Sequence, residues 1–130
     1  MSMQILQPSG WPRPKGYANG IAASGRIAFT AGVVGWDAAG QFPAGLTAQC
    51  DRTFANILAI LAEAGAGPEH VVRLTWYVMS RAAYLAEAPA IGAAYRARFG
   101  KTFPAMAVVE VSGLMEADAL VEIEATAVIP

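Results

Sequence analysis

The chain has 130 residues, is 55% hydrophobic and 15% charged, and carries a formal net charge of −1. That length fits one domain over residues 1–130, able to bury roughly two thirds of its unfolded surface without a disulfide or metal staple. Its nine basic residues form no run or stripe, which disfavours nucleic-acid binding; its single cysteine allows no intrachain disulfide; and one histidine beside it is too few for an ordinary structural zinc site.

Residues 1–14 place Pro8, Pro12 and Pro14 around Trp11, which predicts an extended arm with little regular structure. This segment does not resemble a signal peptide, and no stretch reaches the roughly 18 uncharged apolar residues of a membrane span, so a cytoplasmic protein is expected. Arg26–Ala31 alternates in polarity and stops at Gly32, predicting a strand; Val33, Val34 and Trp36 continue as a second extended piece. Asp37-Ala38-Ala39-Gly40 predicts a turn. Thr47–Ala64 is the clearest helix, with Thr47 as its expected N-cap. Cys50, Phe54, Ile57, Leu58 and Leu61 share one face of it, which makes Cys50 a core filler rather than a nucleophile. Gly65 suits a left-handed C-cap and Pro68 blocks continuation.

Val72–Met79 predicts a strand with Val72, Leu74, Trp76 and Val78 on one face. Pro89–Phe99 predicts a second helix starting at its proline, with Ile91, Tyr95 and Phe99 as its buried stripe. Ala105–Val111 and Leu120–Ile129 are two further strands, and Val121, Ile123, Ala125, Ala127 and Ile129 form the apolar face of the last. Two helices over one face of such a sheet make a two-layer α+β domain. The other face is expected to carry Arg73, Tyr77, Met79, Met106, Val108, Glu110, Glu122 and Glu124, a mixture that suits an intersubunit surface. The apolar balance of the composition points the same way.

Several reaction classes are excluded cheaply. No phosphate-binding glycine loop and no nucleophile elbow is present. His70, between the first helix and the next strand, is expected to be a surface or capping residue. Glu122 and Glu124 project from one side of a strand, about 7 Å apart. Carboxylates on a covered strand must be paired, wet or perturbed, so one of them could position a water or carry a proton, unless Arg73 or another base simply pairs with it.

Five segments then resemble, in order and with natural spacing, those of the Rid (YjgF-like) family. Lys15-Gly16-Tyr17-Ala18-Asn19-Gly20 resembles its G-P-Y-x-x-G segment, and Ile27–Gly32 its I-x-x-S-G strand. The helix from Ala48 to Gly65 resembles the family helix, with Gln49, Asn56, Leu61, Ala64 and Gly65 in place. Phe103-Pro104-Ala105 with Val109-Glu110-Val111 resembles F-P-A-R-x-x-V-E-V, and Val121–Ala125 the closing I-E-I-E-A strand.

The resemblance implies a chorismate-mutase-like α+β fold, a homotrimer closing its strands into a central barrel, and small-molecule ligands in three intersubunit clefts, with no cofactor or metal. Members of that family hydrolyse reactive enamines and imines such as 2-aminoacrylate to 2-oxo acids and ammonia. A strand arginine grips the substrate carboxylate, a glutamate on the last strand positions water, and a tyrosine near the N-terminus lines the cleft. The tyrosine falls on Tyr17 and the glutamate on Glu122, but the arginine position is Met106. Methionine offers no bidentate fork, and loss of such a contact removes about 2–5 kcal/mol by analogy with buried charge pairs. Val33 follows Gly32 where glutamine is common, and Gly92 replaces a polar residue of the second helix. Met106, Val108, Val33, Gly32, Gly92 and Trp36 are thus the expected substrate-binding set beside catalytic Glu122 and Tyr17. The expectation is a divergent imine or enamine hydrolase rather than an ordinary 2-aminoacrylate deaminase; the alternative is a non-catalytic trimeric protein that binds a small ligand or an enzyme partner.

Overall fold

A computed structural model describes residues 3–130. Its elements run β1 (Met3–Ile5), β2 (Ile21–Ala23), β3 (Arg26–Phe29), β4 (Val33–Val34), α1 (Leu46–Ala62), a 3₁₀ turn (Pro68–His70), β5 (Val71–Val78), α2 (Arg81–Phe99), β6 (Ala105–Glu110) and β7 (Val121–Ile129). The main sheet has the order β3-β7-β5-β6, with β4 also paired to β7. Strands β3, β4 and β5 run antiparallel to β7, while β5 and β6 are parallel. A parallel pair needs a crossover, and α2 supplies it. Both helices contribute to one core with the inward residues of β5 and β7, giving the expected two-layer α+β fold.

The first helix buries Cys50, Phe54, Ile57 and Leu61, as its periodicity predicts. Phe54 is the hub, meeting Trp76, Tyr95 and Phe99 edge to face at 5.4, 5.5 and 5.7 Å. Gly65, at φ +76°, ends this segment; Ala66 N–H donates to Leu61 O and Gly65 N–H to Ala62 O, which satisfies the last carbonyls. At the other end the expectation fails. Gly45, not Thr47, is the N-cap, and it offers no side chain. Thr47 lies inside the first turn, and both its N–H and its hydroxyl donate to Glu87 Oε1. A carboxylate from α2 therefore caps the positive end of α1.

The second helix starts eight residues before the expected position. Ser80 caps it by accepting from Ala83 N–H at 3.0 Å, and Pro89 sits in its interior. The proline takes away one hydrogen bond to the carbonyl of Leu85, whose side chain is exposed. The N-terminal arm is extended with little regular structure, apart from one short strand. β1 pairs antiparallel with β2 through Met3↔Ala23, Gln4↔Ala22 and Ile5↔Ile21.

In β5 a register shift between Val71 and Arg73 gives Val71 the inward place expected for Val72. The parallel register pairs Leu74 with Met106, Trp76 with Val108 and Val78 with Glu110. Laterally paired residues share a face, so Met106, Val108 and Glu110 lie on the helix side and not with Glu122. Glu110 Oε1 accordingly accepts from the Arg81 N–H at the start of α2. The face without helices carries Phe29, Arg73, Thr75, Tyr77, Glu122 and Glu124, together with exposed Val109.

Two motif residues of α1 hold loops. Buried Gln49 donates to Pro43 O and Asp118 O and accepts from Leu120 N–H. Asn56 donates to Val34 O and Trp36 O, both at 2.9 Å. These contacts hold the segments on either side of the β4–β7 edge against the helix.

Candidate functional site

The expected site residues fall into two groups on different parts of the chain. The first surrounds a cleft of about 400 Å³ between α2 and β6, which Tyr17, Gly92, Met106 and Val108 all line. Backbone pairing puts Tyr17 there. Ala18 N–H donates to Pro104 O at 3.0 Å, and Ala18 bridges Ala105 in parallel, so the preceding tyrosine stands beside Met106. Gly16, at φ +79°, makes the turn into this bridge, a backbone conformation that other residues rarely adopt.

Residues not expected from motif comparison complete the cleft. Tyr84, Ile91, Tyr95 and Phe103 supply apolar wall, Trp76 contributes as well, and Lys15 and Arg96 are its charged residues. No carboxylate lines it. Burial raises the Tyr95 phenol well above its ordinary range, and its hydroxyl already donates to Thr102 O. Tyr84 is raised for the same reason. Neither phenol is a ready acid or base. The missed cation on α2 was accessible by one argument: Gly92 and Arg96 are four residues apart, hence on one helical face.

The second group borders the β4–β7 edge. Gly32, Val33 and Trp36 line a separate recess with Asn56 and Ile60. Val33 is not a free binding surface: it is 7% exposed and packs into the core, opposite Ile123. Trp36 is 40% exposed and leans on Phe42 at 5.8 Å. Glu122 lies across from Val34 on one side and Tyr77 on the other. It presses against Gly32 so closely that a Cβ there would overlap the Glu122 carboxylate.

The paired glutamates differ. Glu124 accepts a 2.8 Å hydrogen bond from Tyr77 Oη, which raises the tyrosine pKa. Among the described residues no side-chain hydrogen bond or ion pair engages Glu122, so of the two it is the carboxylate available to a water. Arg73 lines a recess on the open face with Glu124, Thr75 and Phe29, and no ion pair joins it to Glu124 among the described residues. It is not in the Tyr17 cleft.

The remaining candidates are structural. Cys50 is fully buried and its thiol is pushed up to about 12 by desolvation. His70 Nδ1 accepts from Gly67 N–H at 2.9 Å and so caps the 3₁₀ turn. Among the described residues no group of three or more His, Cys, Asp or Glu side chains could hold a metal ion, and no helix is long and apolar enough to cross a membrane.

Comparison with known proteins matches a family model described as Endoribonuclease L-PSP over residues 12–129. A RutC family protein of Synechocystis sp. is 36% identical over 135 residues, spanning 100% of this chain and 99% of that protein. The crystal structure of YyfB of Yersinia pestis, a protein of unknown function of the conserved Rid protein family, has a TM-score of 0.85 at 34% identity. It covers 99% of this chain and 100% of that chain. The YjgF gene product of E. coli has a TM-score of 0.71 at 30% identity, over 98% and 99% of the two chains.

Proposed function

The chain belongs to the Endoribonuclease L-PSP (YjgF/Rid) family, and from that premise we propose that it hydrolyses a reactive imine or enamine, to a carbonyl product and ammonia, at sites between the subunits of a homotrimer. The observation that carries this reading is the division of the site. Tyr17 and Met106 border one cleft and Glu122 stands with Gly32 at another edge, each half incomplete and each flanked by uncovered large side chains (Tyr17 is 43% exposed). A second copy bringing its Gly32–Glu122 edge to the Tyr17 cleft makes one site from two halves.

The chemistry then follows from the residues. Glu122 accepts a hydrogen bond from a water and takes its proton as the oxygen attacks the C=N carbon. The nitrogen is protonated to give a carbinolamine; the hydroxyl proton then passes to the amine, the C–N bond breaks, and ammonia leaves as the C=O bond forms. Tyr17 closes the cleft over the reacting atoms. An enamine enters as its imine tautomer, so the same sequence serves both. Met106 removes the fork that an arginine would offer at that position, which makes an ordinary small 2-imino acid a poor substrate.

A second reading, a non-catalytic trimer that binds a small ligand or an enzyme partner, draws on the cleft itself, whose walls are mostly apolar and hold no carboxylate. Ribonuclease activity has little support in the charge, which is −1 overall with no basic stripe. The deciding experiment measures ammonia release from freshly generated imines, small and bulky, with and without a carboxylate, for the native chain, Met106→Arg and Glu122→Gln. Turnover of bulky imines by the native chain, lost in Glu122→Gln, is expected. Hydrolysis only after Met106→Arg would favour the binding role. Unchanged rates in Glu122→Gln would remove that residue from the mechanism.

A further inference from the structure

We propose that the α2–β6 cleft takes an aromatic carboxylate and that Arg96, given room by Gly92, is the group that grips its anionic end. The inference rests on the function proposed above and names the substrate class of that same cleft.

Gly92 and Arg96 stand one turn apart on α2. A Cβ at position 92 would lie 3.2 Å from Arg96 Nη1, so the guanidinium lies over bare backbone, and a bulky side chain there would push it away. Glycine in a helix interior is ordinarily unfavourable, so its presence calls for a gain elsewhere. Here the gain is the position of a planar five-donor fork beside the cleft. That fork is open. Arg98, two residues on, is held by both Asp51 oxygens at 3.0 and 3.1 Å, and Arg26 donates to Ala64 O. No side-chain hydrogen bond or ion pair engages Arg96 among the described residues. Lys15 adds a second positive charge, and no lining carboxylate cancels either.

The cleft wall also contains an unpaired donor. The indole Nε1 of Trp76 is the one buried side-chain polar atom among the described residues with no hydrogen-bond partner. Trp76 is 3% exposed and is one of the residues lining this cleft. Buried donors of this kind are nearly always satisfied in native proteins. That atom is sealed from solvent, so a ligand oxygen meets it only once the indole turns toward the cleft.

The rest of the wall selects a ring. Trp76 meets Tyr84 edge to face at 5.9 Å, and Tyr95 lies nearly parallel to Phe103 at 6.0 Å. Met106 adds a soft thioether that packs well against aromatic groups. A volume of about 400 Å³ is within the range of small-molecule sites. A three-carbon imino acid would leave the aromatic wall uncovered; an aryl group a few bonds from a carboxylate meets ring and fork together. The anion grip has thus moved from β6, where Met106 stands, to α2.

Calorimetry with 3-phenylpropanoate and with its primary amide, on the assembled native protein, tests this without requiring turnover. The carboxylate is expected to bind at least about tenfold more tightly than the amide, the scale of one partly desolvated charge contact. Arg96→Gln should abolish that preference, and Gly92→Leu should weaken it with the guanidinium still present, while melting temperatures report that both variants fold. Equal binding of the two probes, no binding of either, or a preference retained in Arg96→Gln overturns the proposal. The hydrolase reading stands or falls separately. An Arg96-dependent preference with no ammonia released from any imine keeps this inference and removes that one. Turnover of aryl imino acids with an unchanged KM in Arg96→Gln does the reverse.

Discussion

Gly32 has no room for a side chain, and the group that excludes one is the end of Glu122. The clash is with a side chain that can rotate, so Gly32→Ala is expected to fold and to shift the melting free energy by less than about 1 kcal/mol, within the range of tolerated substitutions. The carboxylate, however, must leave its place. On an imine confirmed as a substrate we expect kcat to fall by about two orders of magnitude, the usual contribution of a positioned acid–base group. Steady-state kinetics beside thermal melting would check it; an unaltered kcat would mean that Glu122 acts from another rotamer or not at all. The contrast with Glu124 sharpens the case. One carboxylate two residues further along the same strand is already occupied by the Tyr77 hydroxyl, so what each carboxylate of β7 can do is set by its neighbours rather than by residue type.

At the scale of elements, side-chain staples do as much as packing to keep the site edges in place. Gln49 makes three hydrogen bonds from α1 to the segments that flank β7 and α1 itself. Gln49→Ala strands a carbonyl or N–H at each, and we expect a loss of about 1–3 kcal/mol, the cost of leaving buried polar groups unpaired. Urea unfolding should show a lower midpoint with native secondary structure retained; an unmoved midpoint would mean that water replaces the amide at no cost. Elements with a strong period were legible in the sequence: α1 through Cys50, Phe54, Ile57 and Leu61, and β7 through its alternating buried residues. What was not legible had physical causes. The start of α2 was hidden because Pro89 mimics a first-turn proline, while the true cap, Ser80, precedes an alanine-rich turn with little amphipathic contrast. The cap of α1 was hidden because it comes from Glu87, forty residues away. The facing of Met106 and Val108 depended on the register of β6 against β5, which neither strand encodes alone. For the same reason the sequence could not separate the residues around Tyr17 from those around Gly32, and it left Tyr84, Ile91, Tyr95 and Arg96 out of the cleft.

For the molecule as a whole, the sheet face without helices is the part a lone chain leaves unfinished. Phe29 is 72% exposed there, beside Arg73, Thr75 and Glu124. Closing three such faces around an axis covers them and, in the proposed trimer, brings each Tyr17 cleft to a neighbour's Glu122. Mixing gives a decisive check. Tyr17→Ala and Glu122→Gln homotrimers are each expected to lack activity, yet subunits unfolded together and reassembled one to one should recover about one quarter of the native rate, since each mixed trimer contains one fully native site. No recovery would place both residues in one chain's site. Such an experiment depends on tracking subunits, and here the fully buried Cys50 has a practical use. With its thiol enclosed and its ionisation pushed up to about 12, the folded chain presents no native sulfhydryl for maleimide dyes. A single cysteine introduced on the surface would then be the only handle, and subunit exchange could be followed by energy transfer between two differently coloured populations without first removing a native residue.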